Sequence, residues 1–167
     1  MNIEKQWYVL RLKPLTEFRV HNAIAETGAE VYLPIIEKTR VCNKKASLVT
    51  RPLITGYIFV YCSCAELERY RYFRGVLAPL CFAKKYMYLT DSEINILKIA
   101  SQNRSVEITA KPLCTGQKVN IVSGPFAGYS GEVYKLGHNA AVYVHVGLPG
   151  IWFKLKVPRN MLSSISP

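Results

Sequence analysis

Acid is scarce in this chain, and aspartate is nearly absent: 11 acidic residues face 22 basic ones. The single aspartate, Asp91, lies in T-D-S-E, where Thr90 and Glu93 have the spacing of a helix-start capping box. Histidine is equally sparse. His21 falls in a helical pattern, His138 in a turn and His145 in a strand. Neither a GxxxxGK[ST] nor a GxGxxG loop occurs, and no serine or cysteine has a nucleophile-elbow context. A chain without a cluster of titratable groups is not expected to be an enzyme, and neither cofactor nor metal is expected. Long apolar runs are missing too. Nothing approaches the roughly 18 apolar residues of a membrane span, and the N-terminus lacks a small-residue cleavage site, so a cytoplasmic protein is expected. The five cysteines (Cys42, Cys62, Cys64, Cys81, Cys114) contain no CxxC. In Cys62-Ser63-Cys64 the two thiols are expected on one face of a strand. Reduced, mostly buried thiols are favoured over zinc or a disulfide frame.

Positive charge is what the chain has in excess. The net charge is +11, a field that favours polyanions. The charge is also clustered. Lys38, Arg40, Lys44, Lys45 and Arg51 form one acid-free group, and Arg69, Arg71, Arg74, Lys84 and Lys85 a second. Either could be a solvated face; two of them in one small chain tilt the reading towards nucleic acid. Half of the residues are hydrophobic, ample for a packed core.

Periodicity divides the chain in two. Trp7 to Leu12 reads as a strand ended by Pro14, and Thr16 as the cap of a helix that Gly28 stops. EVYLPII reads as a strand in which Pro34 marks an edge or an end. Lys38 to Arg51 forms a hairpin-like excursion with CNKKAS at its tip, and PLITGYIFVYC returns as a central strand. AELERYRYF is a short helix closed by Gly75. VLAPLCF and YMYL are short strands around Ala83-Lys84-Lys85, and Asp91 to Gln102 is a helix with Ile94, Leu97 and Ala100 or Ile99 on its apolar side. This order predicts an α+β domain over 1–102, an antiparallel sheet flanked by helices. Residues 103–115 lack a period and read as a linker. From 116 to 167 all is strand and turn, with Gly137-His138-Asn139 and Leu148-Pro149-Gly150 as turns: a small all-β, SH3-like barrel. Its Val- and aromatic-rich segments AAVYVHV and IWFKLKV favour strands over a helical hairpin.

The most informative stretch is GQKVNIVSGPFAGYSGEV, Gly116 to Val133. Here a strand meets a Gly-Pro turn (Gly124, Pro125), an aromatic able to tuck back (Phe126), and Gly128 and Gly131, where positive φ or close backbone approach is expected. With Val119 in the first strand, this closely resembles the KOW motif of ribosomal proteins and of NusG-family transcription factors. Trp7-Tyr8, RPLITGYIFV (Arg51 to Val60) and FRGV (Phe73 to Val76) resemble the NusG N-terminal (NGN) domain. From Trp7 to about Ile165 the chain is identified as a member of the NusG family. The compact connection after the first helix and VPRNML near the end are similar to specialised paralogues, the RfaH and UpxY types. Housekeeping NusG and a ribosome-bound KOW protein are the alternatives.

The resemblance implies a transcription elongation and antitermination factor, a monomer that docks on the clamp helices of RNA polymerase. The matching positions are Ile54, Tyr57, Phe59, Leu80 and Phe82. Tyr57 and Phe59, two apart on a strand, share a face; the plain alternative is that this face is core under the helices. Positions matching a contact to the non-template DNA strand or nascent nucleic acid are Lys13, Arg19 and Arg74, with Tyr70, Tyr72 and Phe73 nearby for base stacking. The KOW unit of relatives meets Rho or a ribosomal protein. Where RfaH carries His-Thr-Thr, this chain has Glu66-Leu67-Glu68.

Overall fold

The computed structural model describes residues 4–42, 45–102, 107–109, 118–135, 139–145 and 152–165. The chain divides into two compact units, Met1–Asn95 and Ile96–Pro167.

In the first unit, strand β1 (Gln6–Leu12) leads into helix α1 (Glu17–Ala25) and strand β2 (Glu30–Tyr32). A long hairpin follows, β3 (Ile35–Cys42) and β4 (Lys45–Pro52), and then β5 (Tyr57–Cys62), α2 (Cys64–Tyr70) and β6 (Val76–Pro79). The short strands β7 (Cys81–Phe82), β8 (Lys85–Tyr86) and β9 (Tyr88–Leu89) precede α3 (Asp91–Gln102), whose residues fall on both sides of the unit boundary. The main sheet is antiparallel with order β2-β5-β1-β6, and β9 also pairs with β1. Period-2 alternation sends Tyr8, Leu10 and Leu12 of β1 and Ile58, Val60 and Cys62 of β5 to one face. There they form a buried cluster with Val20 and Ile24 of α1 and Leu67 and Tyr70 of α2. Tyr57 and Phe59 therefore leave the opposite face, away from these two helices.

Two expected strands are shorter than the sequence pattern suggests, each for a local reason. Pro34 divides EVYLPII: β2 pairs with β5, whereas β3 leaves the sheet to pair only with β4. PLITGYIFVYC breaks at Gly56, which takes φ +79. Its carbonyl accepts from the Leu12 N–H and its own N–H donates to Glu17 Oε1, both at 2.8 Å. Glu17 is 3% exposed, so this hydrogen bond is what makes its burial tolerable. Glu17→Ala should therefore cost about 1–3 kcal/mol in denaturant unfolding by orphaning the Gly56 N–H.

Helix ends follow capping chemistry. The expected box at Thr90 is present: the Thr90 N–H donates to Glu93 Oε2 at 2.8 Å and the Glu93 N–H to Thr90 Oγ1 at 3.3 Å. Thr16 stands at the N-cap of α1, but its hydroxyl turns back to the Lys13 carbonyl at 2.7 Å instead of capping. A second capping box, unforeseen, joins Ser63 and Glu66. It ends β5 at Cys62 and starts α2 at Cys64, so the two thiols do not share a strand face. Cys62 is buried, while Cys64 and Cys81 are exposed; the expectation of mostly buried thiols fails for these two, and the side chains of Cys42 and Cys114 lie outside the described residues. On α3, Ile94, Leu97 and Ala100 are buried, and Ile99 is only half-buried.

In the second unit a six-stranded antiparallel sheet has the order β10-β14-β13-β12-β11-β15. Its strands are β10 (Glu107–Thr109), β11 (Lys118–Ile121), β12 (Ser130–Lys135), β13 (Asn139–His145), β14 (Trp152–Pro158) and β15 (Leu162–Ser164). β10 lies within the stretch read as linker and pairs with β14. Among the described residues β10 and β15 are the two ends of the path, and the pairing that would close it into the expected barrel is not among these ladders. The segments expected as strands, not helices, are β13 and β14. Phe153, Leu155 and Val157 of β14 and Val119 and Ile121 of β11 alternate inward, and all are buried. In the glycine-rich stretch, Gly124 and Gly128 take φ +88 and +89, as a turn of L-residues could not readily do. Phe126 tucks back to 5% exposure. Gly131 is not among the glycines with positive φ and lies in β12 opposite Val119. Gly116 and the turns 136–138 and 146–150 lie outside the described residues.

Candidate docking and nucleic-acid surfaces

The residues expected to meet a partner through the sheet face are placed at different depths. Phe59 is wholly buried and Ile54 is 5% exposed. Tyr57 and Leu80 are half-buried, and Phe82 is 72% exposed. Phe59 lies opposite Val9 on β1, and the Leu80 N–H donates to the Val9 carbonyl at 2.8 Å, so Leu80 stands across β1 from Phe59. A partner on this side would touch Tyr57 and Leu80 directly, with Phe59 beneath them; Phe82 stands on the separate β7–β8 hairpin, and Ile54 is buried in the turn before β5. Phe82 is held out by a two-residue turn in which Ala83 and Lys84 take φ 48 and 64 between β7 and β8. Reading by motif missed Arg11, which is exposed and lies between Tyr57 on β5 and Ala78 on β6.

The three expected nucleic-acid residues come from three separate elements, and two of them are joined by backbone. The Lys13 N–H donates to the Gly75 carbonyl at 2.8 Å, which sets the residue after Arg74 against the end of β1. Thr16 Oγ1 lies 2.7 Å from the Lys13 carbonyl and 3.5 Å from that of Gly75. Val20 of α1, next to Arg19, reaches the same glycine, whose missing Cβ would lie 2.9 Å from Val20 Cγ2. Lys13, Arg19 and Arg74 are all exposed. The ion pairs Lys5–Glu66 and Arg71–Glu68 do not take up these cations, and none of the three pairs with a described carboxylate.

The aromatic part of the expectation needs correction. Tyr70 is in the core and packs edge-on against Phe73 with ring centroids 5.7 Å apart. Only Tyr72 stands free of the core, 83% exposed with the Arg71 guanidinium 5.8 Å from its ring centre. Two apolar side chains near Lys13 and Arg19 escaped the sequence reading: Leu15, 97% exposed, and Phe18, 44% exposed. Leu15 sits at φ 66, a backbone conformation that a bulky residue rarely adopts.

Glu66 and Glu68 are committed within α2 and its surroundings. Glu66 accepts from the Ser63 N–H and hydroxyl, and those bonds hold its carboxyl below the usual range. Glu68 accepts from Arg71 and from the Tyr86 hydroxyl. Beside them, burial pushes the Cys62 thiol up to about 12, with Glu66 and Cys64 adding to the rise. Burial and the Cys64 contact at 2.9 Å raise the Tyr8 phenol above its ordinary range. Because the thiolate is the reactive form, Cys62 should resist iodoacetamide in the native protein at pH 8 while Cys64 and Cys81 are alkylated. Peptide mass spectrometry before and after unfolding checks this.

In the second unit the turn around Pro125 and Phe126 forms one wall of a recess of about 70 Å³, lined also by Ile121, Leu155, Val157 and Met161.

These features define a two-unit protein: an α+β sheet unit with unpaired surface cations, then an all-β unit with an apolar recess. A family model described as "Transcription termination factor nusG" matches residues 5–98. The transcription termination/antitermination protein NusG of Treponema pallidum (strain Nichols) is 30% identical over 151 residues, covering 77% of this chain and 81% of that protein. The chain belongs to the NusG family. A solved structure of Thermotoga maritima NusG, described as showing domain interaction, shares the fold with a TM-score of 0.61 at 20% identity, over 97% of this chain and 98% of that one. Among the described residues, no helix is long and apolar enough to cross a membrane.

Proposed function

We propose that this chain is a cytoplasmic, non-enzymatic transcription elongation and antitermination factor, a specialised NusG paralogue of the RfaH or UpxY type serving particular long operons. It docks as a monomer on the clamp helices of RNA polymerase through Tyr57, Leu80 and Phe82, with Ile54 and Phe59 supporting that face. Docking holds the clamp closed around the nucleic acids and suppresses pausing and termination. Lys13, Arg19 and Arg74 meet the non-template strand or nascent nucleic acid beside the docking face. The 116–167 unit, with its KOW-like turn at Gly124, Pro125 and Phe126, recruits a further protein, a ribosomal protein or Rho, at its apolar recess.

The observation that supports this reading is the joining of the Lys13 and Gly75 backbones, which brings the segments carrying Lys13 and Arg74 together, and among the described residues no carboxylate pairs with either cation. A rim built for stability alone would gain from alternating charge. The test is binding to an assembled elongation complex at about 0.15 M salt, where non-specific attraction of a basic protein is weakened. Wild type should bind, and Tyr57→Ala should bind at least about tenfold more weakly. Binding that fades with salt and ignores the substitution would overturn polymerase docking and favour a ribosomal partner.

A further inference from the structure

The hairpin of β3 and β4 is the part of the first unit that polymerase docking leaves unused. It forms a two-stranded sheet of its own, with a register from Ile35↔Pro52 to Cys42↔Lys45. Residues directly opposite each other in an antiparallel pair share a face, as do residues two apart on one strand. Lys38 and Arg40 therefore share a face with each other and with Arg51, which lies opposite Ile36. The cross-strand neighbours of the three cations are all neutral: Val49 for Lys38, Ser47 for Arg40 and Ile36 for Arg51. The one acid of the described hairpin, Glu37, pairs with Thr50 and so belongs to the other face. All three cations are exposed, and among the described residues none is within ion-pair distance of a carboxylate.

This sorting has a cost. Three like charges on successive rungs repel one another, and a face serving only to hold the hairpin together would interleave acids with them. Glu37 is in the hairpin but on the wrong side to do so. The rungs repeat about every 6.8 Å, giving a straight row of positive charge on a stiff two-stranded ribbon.

We infer that this face of the hairpin binds the phosphate backbone of double-stranded DNA. Charge complementarity selects a polyanion. The absence of aromatic side chains at these positions selects a duplex over a single strand, because a single strand is held by stacking as well as by charge. In a duplex the bases are already stacked, and cations that touch only phosphates position a protein without reading sequence. The rung spacing is close to the roughly 7 Å between successive phosphates of a B-form strand and wider than the roughly 6 Å of an A-form strand, which favours DNA over duplex RNA. The surface is built from residues other than Lys13, Arg19 and Arg74, and it does not require polymerase.

The test uses the full chain and fluorescence anisotropy with a short DNA duplex, its single strand, and an RNA duplex of the same sequence. The triple variant K38Q/R40Q/R51Q is compared with K98Q/K118Q/K156Q, which removes the same charge from exposed positions outside both basic clusters. Matched thermal unfolding shows that both fold. The hairpin variant should bind the DNA duplex roughly 10- to 100-fold more weakly than the control variant at about 0.15 M salt. The dependence of log affinity on log salt between about 50 and 200 mM should be shallower by about 0.9 for each phosphate that is no longer neutralised. Binding to the single strand should differ little between the two variants. Equal duplex affinity in the two variants overturns the proposal, and equal losses on the single strand or on the RNA duplex overturn its assignment to double-stranded DNA. Because polymerase is absent, failure here leaves the docking reading intact, and failure of docking leaves this one intact.

Discussion

Phe59→Ala will destabilise the first unit by about 3–5 kcal/mol, whereas Phe82→Ala will leave stability within about 0.5 kcal/mol of wild type. The motif groups the two phenylalanines, yet they differ in what surrounds them. Phe59 has no exposed surface and its ring lies 6.4 Å from that of Tyr32. Truncating it removes buried apolar area and also leaves a cavity, and the neighbours can only partly collapse into it. Phe82 is 72% exposed on a hairpin of two-residue strands. Its truncation costs the fold little, but a ring so exposed is available to a partner, and an aromatic anchor at the centre of an interface is worth about 2 kcal/mol or more. Both variants should therefore lose polymerase binding, Phe59→Ala with a fall in Tm of at least about 10 °C and Phe82→Ala without one. Chemical denaturation beside the elongation-complex assay separates the two. A stable Phe59→Ala protein would mean that the site can collapse; unchanged binding by Phe82→Ala would mean that the docking face lies elsewhere.

That contrast marks how far alternation reaches. Along β5 it shows that Tyr57 and Phe59 share a face, because side-chain direction in a strand is a local property. It does not show depth, because burial depends on what covers the sheet. β5 is covered on both faces from Ile58 to Val60, a pattern that alternation cannot express. Tyr70 misleads for the same reason: on a short helix amid arginines it reads as surface, yet α2 turns it into the core. The elements themselves are more legible. The hairpin of β3 and β4, the capping box at Thr90 and the turn glycines Gly124 and Gly128 each rest on chemistry confined to a few neighbouring residues. The errors in extent come where a distant group claims the backbone, as Leu12 and Glu17 claim Gly56.

The proposed nucleic-acid rim is legible only through family resemblance, because Lys13 and Arg74 are far apart in sequence. What brings their segments together is Gly75, and its replacement is the second substitution with a large expected effect. Gly75 takes φ +110, outside even the left-handed helical region that asparagine tolerates. A Cβ there would lie 2.9 Å from both Thr16 Oγ1 and Val20 Cγ2, and 3.1 Å from Thr16 Cβ. Val20 is 1% exposed and part of the core, so it cannot swing aside. Gly75→Ala therefore combines backbone strain of about 1–3 kcal/mol with overpacking of about 1–3 kcal/mol. Destabilisation by roughly 2–6 kcal/mol in guanidinium unfolding is expected, and Gly75→Asn should fare no better. The strain should be relieved at the weakest local link, the Lys13 N–H bond to the Gly75 carbonyl. Single-stranded DNA affinity should then fall even at temperatures where the variant remains folded. Arg74→Gln should lower that affinity with stability unchanged, which separates the charge from the scaffold that presents it. If Gly75→Ala keeps both stability and affinity, α1 shifts without consequence, and the joining of these backbones is not what builds the rim.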